Sequence, residues 1–351
     1  MTQTNLKSSP IRIGILGCAN IAKQFVRDNA GNEKIVFVGA ASRRLEVAVE
    51  FAKQFGIERS YGSYEELLAD QSLDAVYIPL PNSLHAQWAI KAANAGKHVL
   101  CEKPLALNLQ EAKSMFDAAS THGVMLLESY PYEFQPQTRA MLGLLKDGSI
   151  GDVLTVQACF GFTLANATSN IRSNPDLGGG ALLDAGSYAL SITRLVMGSA
   201  PIQVMADSTW IESGVDISTT ATLYYADGRR AQLSCAMNTA NHRRATIVGS
   251  AGTIESEYLN HTAARVGESP YGYLPSQLRV RRGTANTVAF EEITSSAGSG
   301  FRFAAEAFAD FVATKNVAAI NLHMQASLDN AATLEALARS SKSGERVFVN
   351  R

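Results

Sequence analysis

Short apolar segments and amphipathic segments alternate along the first 130 residues of the chain. The apolar segments are nearly continuous, which is typical of parallel strands buried on both faces. The segment that starts at Leu45 places Ala48, Val49, Ala52 and Phe55 at the spacing of one helix face. Repeated strand–helix units of this kind predict a doubly wound sheet. The predicted strands are Arg12–Leu16, Ile35–Ala40, Ala75–Pro79, His98–Glu102 and Val124–Ser129.

Two helix starts carry a capping pattern, in which a polar residue precedes a glutamate by three positions. Ser63 with Glu66 and Asn108 with Glu111 match this pattern. We therefore expect helices to begin directly after Ser63 and Asn108.

After about residue 130 the pattern changes to consecutive strands, which predicts a mostly antiparallel sheet. The predicted strands are Asp152–Phe162, Ile202–Trp210, Ser218–Tyr225, Arg230–Ala236, Ala245–Val248, Leu278–Arg281 and Val288–Ile293. The predicted helices are Gln137–Lys146, Ala181–Val196, Phe301–Val312 and Met324–Ser340. We therefore expect two domains, an α/β Rossmann domain over residues 1–130 and an α+β domain over residues 131–351.

Composition narrows the possible functions. The chain has 351 residues, 46% of them hydrophobic and 18% charged, with a net charge of −1. The basic residues form no long run, so neither a nucleic-acid surface nor an anionic-membrane surface is indicated. Four widely separated cysteines suggest neither a zinc site nor a disulfide framework. The absence of a leader-like or membrane-length apolar segment leads us to expect a cytoplasmic protein. No His-x-x-x-His motif or acidic cluster indicates a metal, so we expect none.

The first predicted strand runs into the turn Gly17-Cys18-Ala19-Asn20-Ile21-Ala22 and then a helix. Gly17 permits a tight turn, Ala19 keeps the backbone approachable, and Ala22 lets the helix pack closely on the strand. Backbone N–H groups at the start of such a helix, at Asn20 and Ile21, can hold a pyrophosphate. Small residues are common in strand-to-helix turns, so the turn alone indicates a dinucleotide site only weakly.

The end of the second strand bears on the choice of dinucleotide. NAD-binding folds tend to place an acidic residue there, whereas this chain has Ser42, Arg43 and Arg44. A 2′-phosphate could accept a hydrogen bond from the Ser42 hydroxyl and lie against a guanidinium group. The alternative is that both arginines are solvated at a helix start. Because a cation is unfavourable at that helix end without an anionic partner, the pattern favours NADP(H).

Three further segments complete a recognisable set. They are Leu80-Pro81-Asn82 followed by His85, Cys101-Glu102-Lys103-Pro104, and a glycine triplet from Gly178 that leads to Asp184 and Tyr188. In this order, and together with the first turn, they resemble the glucose–fructose oxidoreductase/inositol dehydrogenase/rhizopine catabolism family. The resemblance covers nearly the whole chain. Its most specific parts are the Glu-Lys-Pro segment at a strand end and the Asp-x-x-x-Tyr segment.

The resemblance implies a Rossmann domain, an open-faced, mostly antiparallel sheet as the substrate domain, and hydride transfer with sugars or cyclitols. We therefore expect a carbohydrate or a nucleotide-linked sugar as the substrate. Inositol dehydrogenases carry His at the position of Tyr188. With Tyr there, the chain is more similar to the branch that contains dihydrodiol and xylose dehydrogenases and deoxysugar ketoreductases. The resemblance further implies which residues bind the cofactor. It places His85 near the ribose or nicotinamide, and the residues that line the rest of the cofactor site are Leu80, Pro81, Asn82, Glu102 and Lys103. A homodimer or homotetramer formed through the C-terminal sheet is also implied.

The chemistry of carbonyl reduction explains why Lys103 and Tyr188 are candidate catalytic residues. Hydride delivered to carbon requires a proton at the oxygen, and oxidation requires a base that removes it. Tyr188 can supply or accept that proton, and a nearby Lys103 ammonium is expected to lower the tyrosine pKa and polarise the carbonyl. Asp184 lies one helical turn before Tyr188 and can contact the substrate or orient the pair. The sequence leaves open whether Lys103 or Tyr188 makes the primary proton transfer.

Some features depart from the family or stay ambiguous. Glu133 stands where relatives often have an arginine, which removes a possible cofactor or substrate contact. The polar loop Thr163–Pro175, which contains Arg172, and the pair Arg243-Arg244 can bind a substrate or can simply be solvated. A non-catalytic NADP-binding sensor of the same fold and a dehydrogenase of non-sugar diols or aldehydes are the alternative functions.

Overall fold

The N-terminal half of the chain forms one parallel sheet. The computed structural model describes residues 9–166, 170–265 and 272–350. The first strands are β1 (Ile11–Leu16), β2 (Ile35–Ala41), β3 (Arg59–Tyr61), β4 (Ala75–Ile78), β5 (His98–Glu102) and β6 (Leu126–Ser129). All pair in parallel in the order β3-β2-β1-β4-β5-β6. This is the Rossmann order, in which the chain reverses direction across the sheet between β1 and β4.

Helices connect these strands on both faces of the sheet. They are α1 (Asn20–Asp28), α2 (Leu45–Phe55), α3 (Tyr64–Ala69), α4 (His85–Asn94) and α5 (Leu109–Thr121). The Ser63 hydroxyl accepts from the Glu66 backbone N–H at 3.1 Å, and the Asn108 side chain accepts from that of Glu111 at 2.8 Å. The two helix starts predicted from capping patterns are therefore confirmed.

The C-terminal half contributes a larger, mixed sheet. Its strands are β7 (Val153–Thr163), β8 (Gln203–Trp210), β9 (Asp216–Tyr224), β10 (Arg230–Ala236), β11 (Asn238–Gly249), β12 (Gly252–Ser256), β14 (Leu278–Arg282), β15 (Glu291–Ile293) and β17 (Val347–Phe348), while β13 (His261–Thr262) and β16 (Gly298–Ser299) pair separately. The order is β15-β14-β12-β11-β7-β10-β9-β8-β17, antiparallel except for the parallel pair β7 and β10. The predicted combination of a Rossmann sheet with a mostly antiparallel sheet is confirmed.

The remaining helices join the two sheets. They are α6 (Pro136–Lys146), α7 (Ser187–Met197), α8 (Gly300–Thr314) and α9 (Val317–Ser343). Phe301 and Phe308 of α8 are buried in a core with Ile13, Phe25 and Tyr77, so α8 packs on the first sheet although it comes late in the chain. Helix α9 packs against α5 and β6 on one side and against α7 and β8 on the other.

Several strands differ from the sequence expectation, and β3 and β11 differ for identifiable reasons. The pattern did not predict β3, because it is a three-residue edge strand of sequence Arg-Ser-Tyr. Strand β11 starts at Asn238 instead of Ala245, because its first half is mainly polar and pairs with β7 through an irregular register between Asn238 and His242. Backbone pairing with β7, rather than side-chain periodicity, extends this strand.

One face of the larger sheet packs on helices, while its other face is exposed in the described chain. Leu223, Leu233 and Ile247 are buried on the helix side. Met205, which points to the opposite side of β8 from the buried Val204 and Ala206, is 45% exposed. Among the described helices, none has the length and apolar character needed to cross a membrane.

Replacing Phe308 tests the attachment of α8 to the first sheet. Phe308 is fully buried, so Phe308→Ala should lower the free energy of unfolding by about 3–5 kcal/mol. Phe348→Ala, at a phenylalanine that is 64% exposed, should change it by less than about 1 kcal/mol. Urea unfolding followed by circular dichroism measures both, and equal effects would contradict the packing of α8.

Candidate active site

A cavity of about 970 Å³ lies between the carboxyl ends of the Rossmann strands and the helix-covered face of the larger sheet. Its lining includes Ala19, Asn20 and Ile21, where α1 begins, and also Lys103 and Tyr188. Ligands of doubly wound sheets bind at this edge, where the strand order reverses. Leu80, Pro81, Asn82, Glu102 and Asp184 also line the cavity, so most of the predicted site residues meet there.

The Asp184 carboxylate joins two cations at the cavity wall. Its Oδ1 accepts from Lys103 Nζ at 2.9 Å, and its Oδ2 accepts from Arg172 Nε at 2.6 Å. Lys103 Nζ also donates to the Asp184 backbone carbonyl at 2.8 Å. Burial acts to raise the pKa of Asp184, but the charges of Lys103 and Arg172 outweigh it and lower the pKa to about 2. Asp184 is therefore ionised at neutral pH and fixes the direction of the Lys103 side chain.

Tyr188 lies beside this cluster within an aromatic group. Its ring packs edge-on against Phe160 at 5.0 Å and Tyr130 at 5.5 Å between centroids. Lys103 Nζ lies 4.7 Å from the ring centroid, over the ring face rather than at the hydroxyl. The expected lowering of the Tyr188 pKa is wrong: burial, with Glu102 next, raises this pKa well above its usual value. The phenol is therefore neutral at physiological pH.

The glycine triplet is required by close contacts on three sides. A Cβ on Gly178, where φ is +74°, would lie 2.8 Å from the Asn82 Cβ. A Cβ on Gly179 would lie 2.4 Å from the Arg172 carbonyl oxygen. A Cβ on Gly180 would overlap the Asp216 carboxylate. Larger residues here would push apart the loop, the sheet and the Rossmann domain that meet at the cavity.

The helix that carries Asp184 and Tyr188 begins with a π-helical turn over Leu182–Gly186 and continues as α7. Such turns interrupt the regular helical hydrogen bonds and are frequent at functional sites. Asp216 of β9 caps the start, because its carboxylate accepts from the Leu182 backbone N–H at 2.7 Å and from the Thr219 hydroxyl at 2.9 Å. The larger sheet thereby holds the helix start in position.

Asn82 and His85 connect the loops around the cavity. Asn82 Nδ2 donates to the Gly178 carbonyl at 2.8 Å, which links the Rossmann domain to the glycine triplet. His85 is fully buried, with its ring nitrogens 2.8 Å from the carbonyl oxygens of Leu80 and Pro104. His85 is not among the residues that line the cavity. The structure therefore places it behind the wall, where it positions the two loops that carry Leu80 and Lys103.

The turn between β1 and α1 suits a pyrophosphate. Gly17 has φ of +121°, and a Cβ there would lie 2.7 Å from Leu80 Cδ2. The Gly17 N–H donates to the Ala41 carbonyl at 3.1 Å, which ties the turn to the end of β2. No described side chain caps α1, and its first turn holds no acidic residue. The N–H groups at its start are thus available to an anion, so the residues present fit a dinucleotide.

The predicted 2′-phosphate site follows β2. Its residues, which are not in the lining of the 970 Å³ cavity, are Ser42, Arg43 and Arg44. Burial raises the pKa of Tyr64, while the charge of Arg43 opposes that rise. Arg43 can act in this way because its guanidinium lies close to the Tyr64 hydroxyl. That hydroxyl is 3.9 Å from the position of a Cβ on Gly17. Arg43 thus lies near the phosphate turn, whereas the Arg44 side chain is 74% exposed and 3.6 Å from Glu46.

Two buried glutamates lie near the cavity in different roles. Glu102 lines it and accepts from the Tyr77 hydroxyl at 2.7 Å, and burial raises the Glu102 pKa. Glu133, at the position where a cation was expected, does not line the cavity. It accepts from Ser191 of α7 at 2.7 Å and lies 3.8 Å from His323 of α9. Glu133 therefore connects α7, the helix that carries Tyr188, with α9.

Sequence reasoning missed Asn260 and Asp216, which contact Tyr188 and the start of the helix that carries it. Asn260 Nδ2 donates to the Tyr188 hydroxyl at 3.1 Å, although Asn260 lies in an irregular segment with no motif. Asp216 was not a candidate, because its capping contact joins residues far apart in the chain. Arg172, an ambiguous residue of the polar loop, proves to pair with Asp184. Residues 167–169 of that loop lie outside the described residues.

Two family models match the chain. The model for an oxidoreductase family with an NAD-binding Rossmann fold matches residues 11–130. The GFO/IDH/MocA C-terminal domain model matches residues 138–255. The chain belongs to the GFO/IDH/MocA oxidoreductase family. The resemblance of the sequence motifs to this family is thereby confirmed, and with it an NAD(P)-dependent oxidoreductase fold whose relatives act on sugars and related compounds.

Three relatives illustrate the range within this family. A D-xylose 1-dehydrogenase (NADP(+)) from Haloferax volcanii is 39% identical over 69% of this chain and 74% of its own. A trans-1,2-dihydrobenzene-1,2-diol dehydrogenase from Danio rerio is 36% identical over 70% and 74%, respectively. A crystal structure of a 3-ketoreductase from Actinomadura kijaniata with NADP and TDP-benzene has a TM-score of 0.82 at 29% identity and covers 95% of this chain and 98% of that one.

Replacing Asp184 tests the ion cluster. Asp184→Asn leaves Lys103 and Arg172 without their counter-charge, so the free energy of unfolding should fall by about 3–5 kcal/mol at pH 7. The folded-state pKa is lowered to about 2, so this stabilisation is complete above the unfolded pKa of about 3.9 and is lost as pH falls toward 2. Urea titrations from pH 7 downward should show the two proteins converging below about pH 4.

Asp310→Asn is the matched control. Asp310 pairs with Lys34 at 2.7 Å, but the two side chains are 54% and 46% exposed. The loss should be below about 1 kcal/mol at pH 7. A difference between wild type and Asp184→Asn that stays constant with pH would contradict an ionised, paired Asp184.

Proposed function

We propose that the protein is an NADP(H)-dependent oxidoreductase that acts on a hydroxyl or carbonyl carbon of a sugar or sugar derivative. The observation that carries the proposal is that Lys103 and Tyr188 lie together in the lining of a cavity that also includes the turn before α1. The Asp184 contact holds the lysine there. A chain that only sensed the nucleotide would not need this pair, which supports turnover over the sensor alternative.

Tyr188 is the proton donor for reduction in this proposal. Asn260 donates to the Tyr188 oxygen, so the phenol keeps its own proton for another acceptor. A bound reduced nicotinamide supplies the hydride for the carbonyl carbon. As negative charge develops on the carbonyl oxygen, Tyr188 transfers its proton to that oxygen and is then reprotonated from solvent, whereas in oxidation its phenolate form accepts the hydroxyl proton. The raised pKa of Tyr188 keeps the donor form present throughout the neutral range.

Lys103 stabilises the developing charge. Its ammonium group lies over the Tyr188 ring at 4.7 Å and is oriented by the carboxylate and the carbonyl of Asp184. A fixed cation beside the carbonyl oxygen favours the transition state without rearrangement during the reaction. Asp184 and Asn260 are positioning residues, since they act through Lys103 and Tyr188.

The preference for NADP(H) is supported at the end of β2. Ser42 and Arg43 stand where an acidic residue would repel a 2′-phosphate, and Arg43 lies near the phosphate turn. The Haloferax volcanii and Actinomadura kijaniata relatives are an NADP(+) dehydrogenase and an NADP complex. Gly17, Ala19, Asn20 and Ile21 would hold the pyrophosphate, with Leu80, Pro81, Asn82, Glu102 and Lys103 along the remainder of the cofactor.

Removing the proposed catalytic groups tests the chemistry. Tyr188→Phe and Lys103→Met should each lower kcat by about a hundredfold or more, because proton transfer and charge stabilisation are lost. The NADPH dissociation constant of Tyr188→Phe should stay within about twofold. Turnover is measured as NADPH absorbance with a panel of sugars, keto-sugars and diols. Tyr225→Phe, which removes a buried hydroxyl away from the cavity, is the control; near-normal kcat in both catalytic variants would refute the mechanism.

A carboxylate placed at the end of β2 tests cofactor selection. Ser42→Asp should weaken NADPH binding by about tenfold or more, since it repels the 2′-phosphate, and leave NADH binding nearly unchanged. Ser120→Asp, at an exposed serine on α5, should affect neither. Quenching of protein fluorescence gives the dissociation constants. Wild-type protein that binds NADH and NADPH equally would remove the role assigned to Ser42 and Arg43.

A further inference from the structure

Arg243 occupies the sheet side of the cavity. It belongs to β11 and lies opposite Phe160 of β7. Side chains alternate along a strand, so Arg243 shares the face of the buried Ala245 and Ile247 and points toward the helices and the cavity. Its guanidinium lies 4.7 Å over the Phe160 ring, which in turn packs against Tyr188. Arg243 is thus held beside the reacting end of the cavity.

The charge balance of the cavity wall leaves Arg243 uncompensated. Lys103 and Arg172 share the single carboxylate of Asp184. Glu102 accepts from the Tyr77 hydroxyl, and its pKa is raised by burial. No carboxylate among the described residues forms an ion pair with Arg243. The neighbouring Arg244 points to the other face of the strand and lies 3.7 Å from Glu257.

The surroundings of Arg243 suit a polar ligand. Asn241, Asn260 and His261 line the same part of the cavity. Burial lowers the pKa of His261 to about 4, so its imidazole is neutral and adds no positive charge at pH 7. The guanidinium carbon lies 4.7 Å over the Phe160 ring, and no hydrogen bond joins its N–H groups to a described residue, so they can bind oxygen atoms in a forked geometry. Carboxylates and phosphates match that geometry.

We infer, on the basis of the proposed function, that the substrate carries an anionic group, a carboxylate or a phosphate ester, which binds to Arg243. This assigns a substrate class, acidic or phosphorylated sugars, to the sheet side of the cavity. Arg243 determines specificity by binding this anionic group, while Tyr188 transfers the proton. A neutral sugar would leave the guanidinium without an anionic partner.

A matched panel tests this assignment. NADP-loaded wild-type protein, Arg243→Gln and Arg244→Gln are compared with glucose, glucuronate, glucose 6-phosphate and TDP-glucose, by calorimetric binding and by turnover. Wild-type protein should bind at least one anionic member about 10- to 100-fold more tightly than glucose, as expected for a hydrogen-bonded charge pair. Arg243→Gln should lose this preference while its affinity for glucose stays within twofold. Arg244→Gln should behave as wild type.

The outcomes separate the inference from the proposed reaction. Turnover of glucose with no preference for any anionic member overturns the inference and leaves the reaction intact. Binding of an anionic member that depends on Arg243, without turnover of any compound, supports the inference and overturns the reaction. A tenfold weaker NADPH affinity in Arg243→Gln would show that the residue serves the cofactor and would overturn the inference. Comparison of glucuronate with the two phosphates distinguishes a carboxylate ligand from a phosphate.

Discussion

The largely buried Asp184 carboxylate holds together three parts of the molecule at the cavity wall. Lys103 comes from the end of β5, Arg172 from the loop after β7, and Asp184 from the helix that lies on the larger sheet. Removing the charges of Lys103 and Asp184 from water is unfavourable, and their contact with each other and with Arg172 offsets that loss. The geometry of the reacting groups therefore depends on both domains being correctly placed, and a displacement of either would leave a buried charge unpaired.

The surrounding structure makes this contact possible. The glycine triplet allows the Arg172 backbone, Asn82 and Asp216 to approach within distances that no side chain would permit. Asp216 and the π-helical turn set the start of the helix, and Glu133 and Ser191 support it from below. Donors fixed in this way before a substrate binds need little reorganisation during a reaction. The same framework keeps Tyr188 buried and protonated, because the aromatic rings around it exclude water.

The nucleotide part and the sheet part of the cavity are built by different means. The nucleotide part consists of backbone N–H groups in one local turn, with Gly17 and the start of α1 as neighbours in sequence. The sheet part consists of side chains from separate elements, such as Phe160 of β7, Arg243 of β11 and Tyr188 of α7. A local backbone site tolerates little variation, whereas strand side chains can change one at a time. This difference is consistent with a family that shares a cofactor fold and differs in substrate.

The sequence by itself determined the features that depend on near neighbours. The strand–helix alternation, the capping pairs at Ser63 and Asn108, and the turn at Gly17 are local, because each joins residues a few positions apart. The resemblance of the motifs added Lys103, Asp184 and Tyr188 as candidates. Tertiary structure alone decided that Lys103 binds Asp184 rather than the Tyr188 hydroxyl. It also decided that Asn260 is the residue that contacts this hydroxyl.

The tertiary structure also decided that the pKa of Tyr188 is raised and that His85 lies behind the cavity wall. These outcomes depend on burial and on contacts between residues tens of positions apart, for which the local pattern of polar and apolar residues carries no signal.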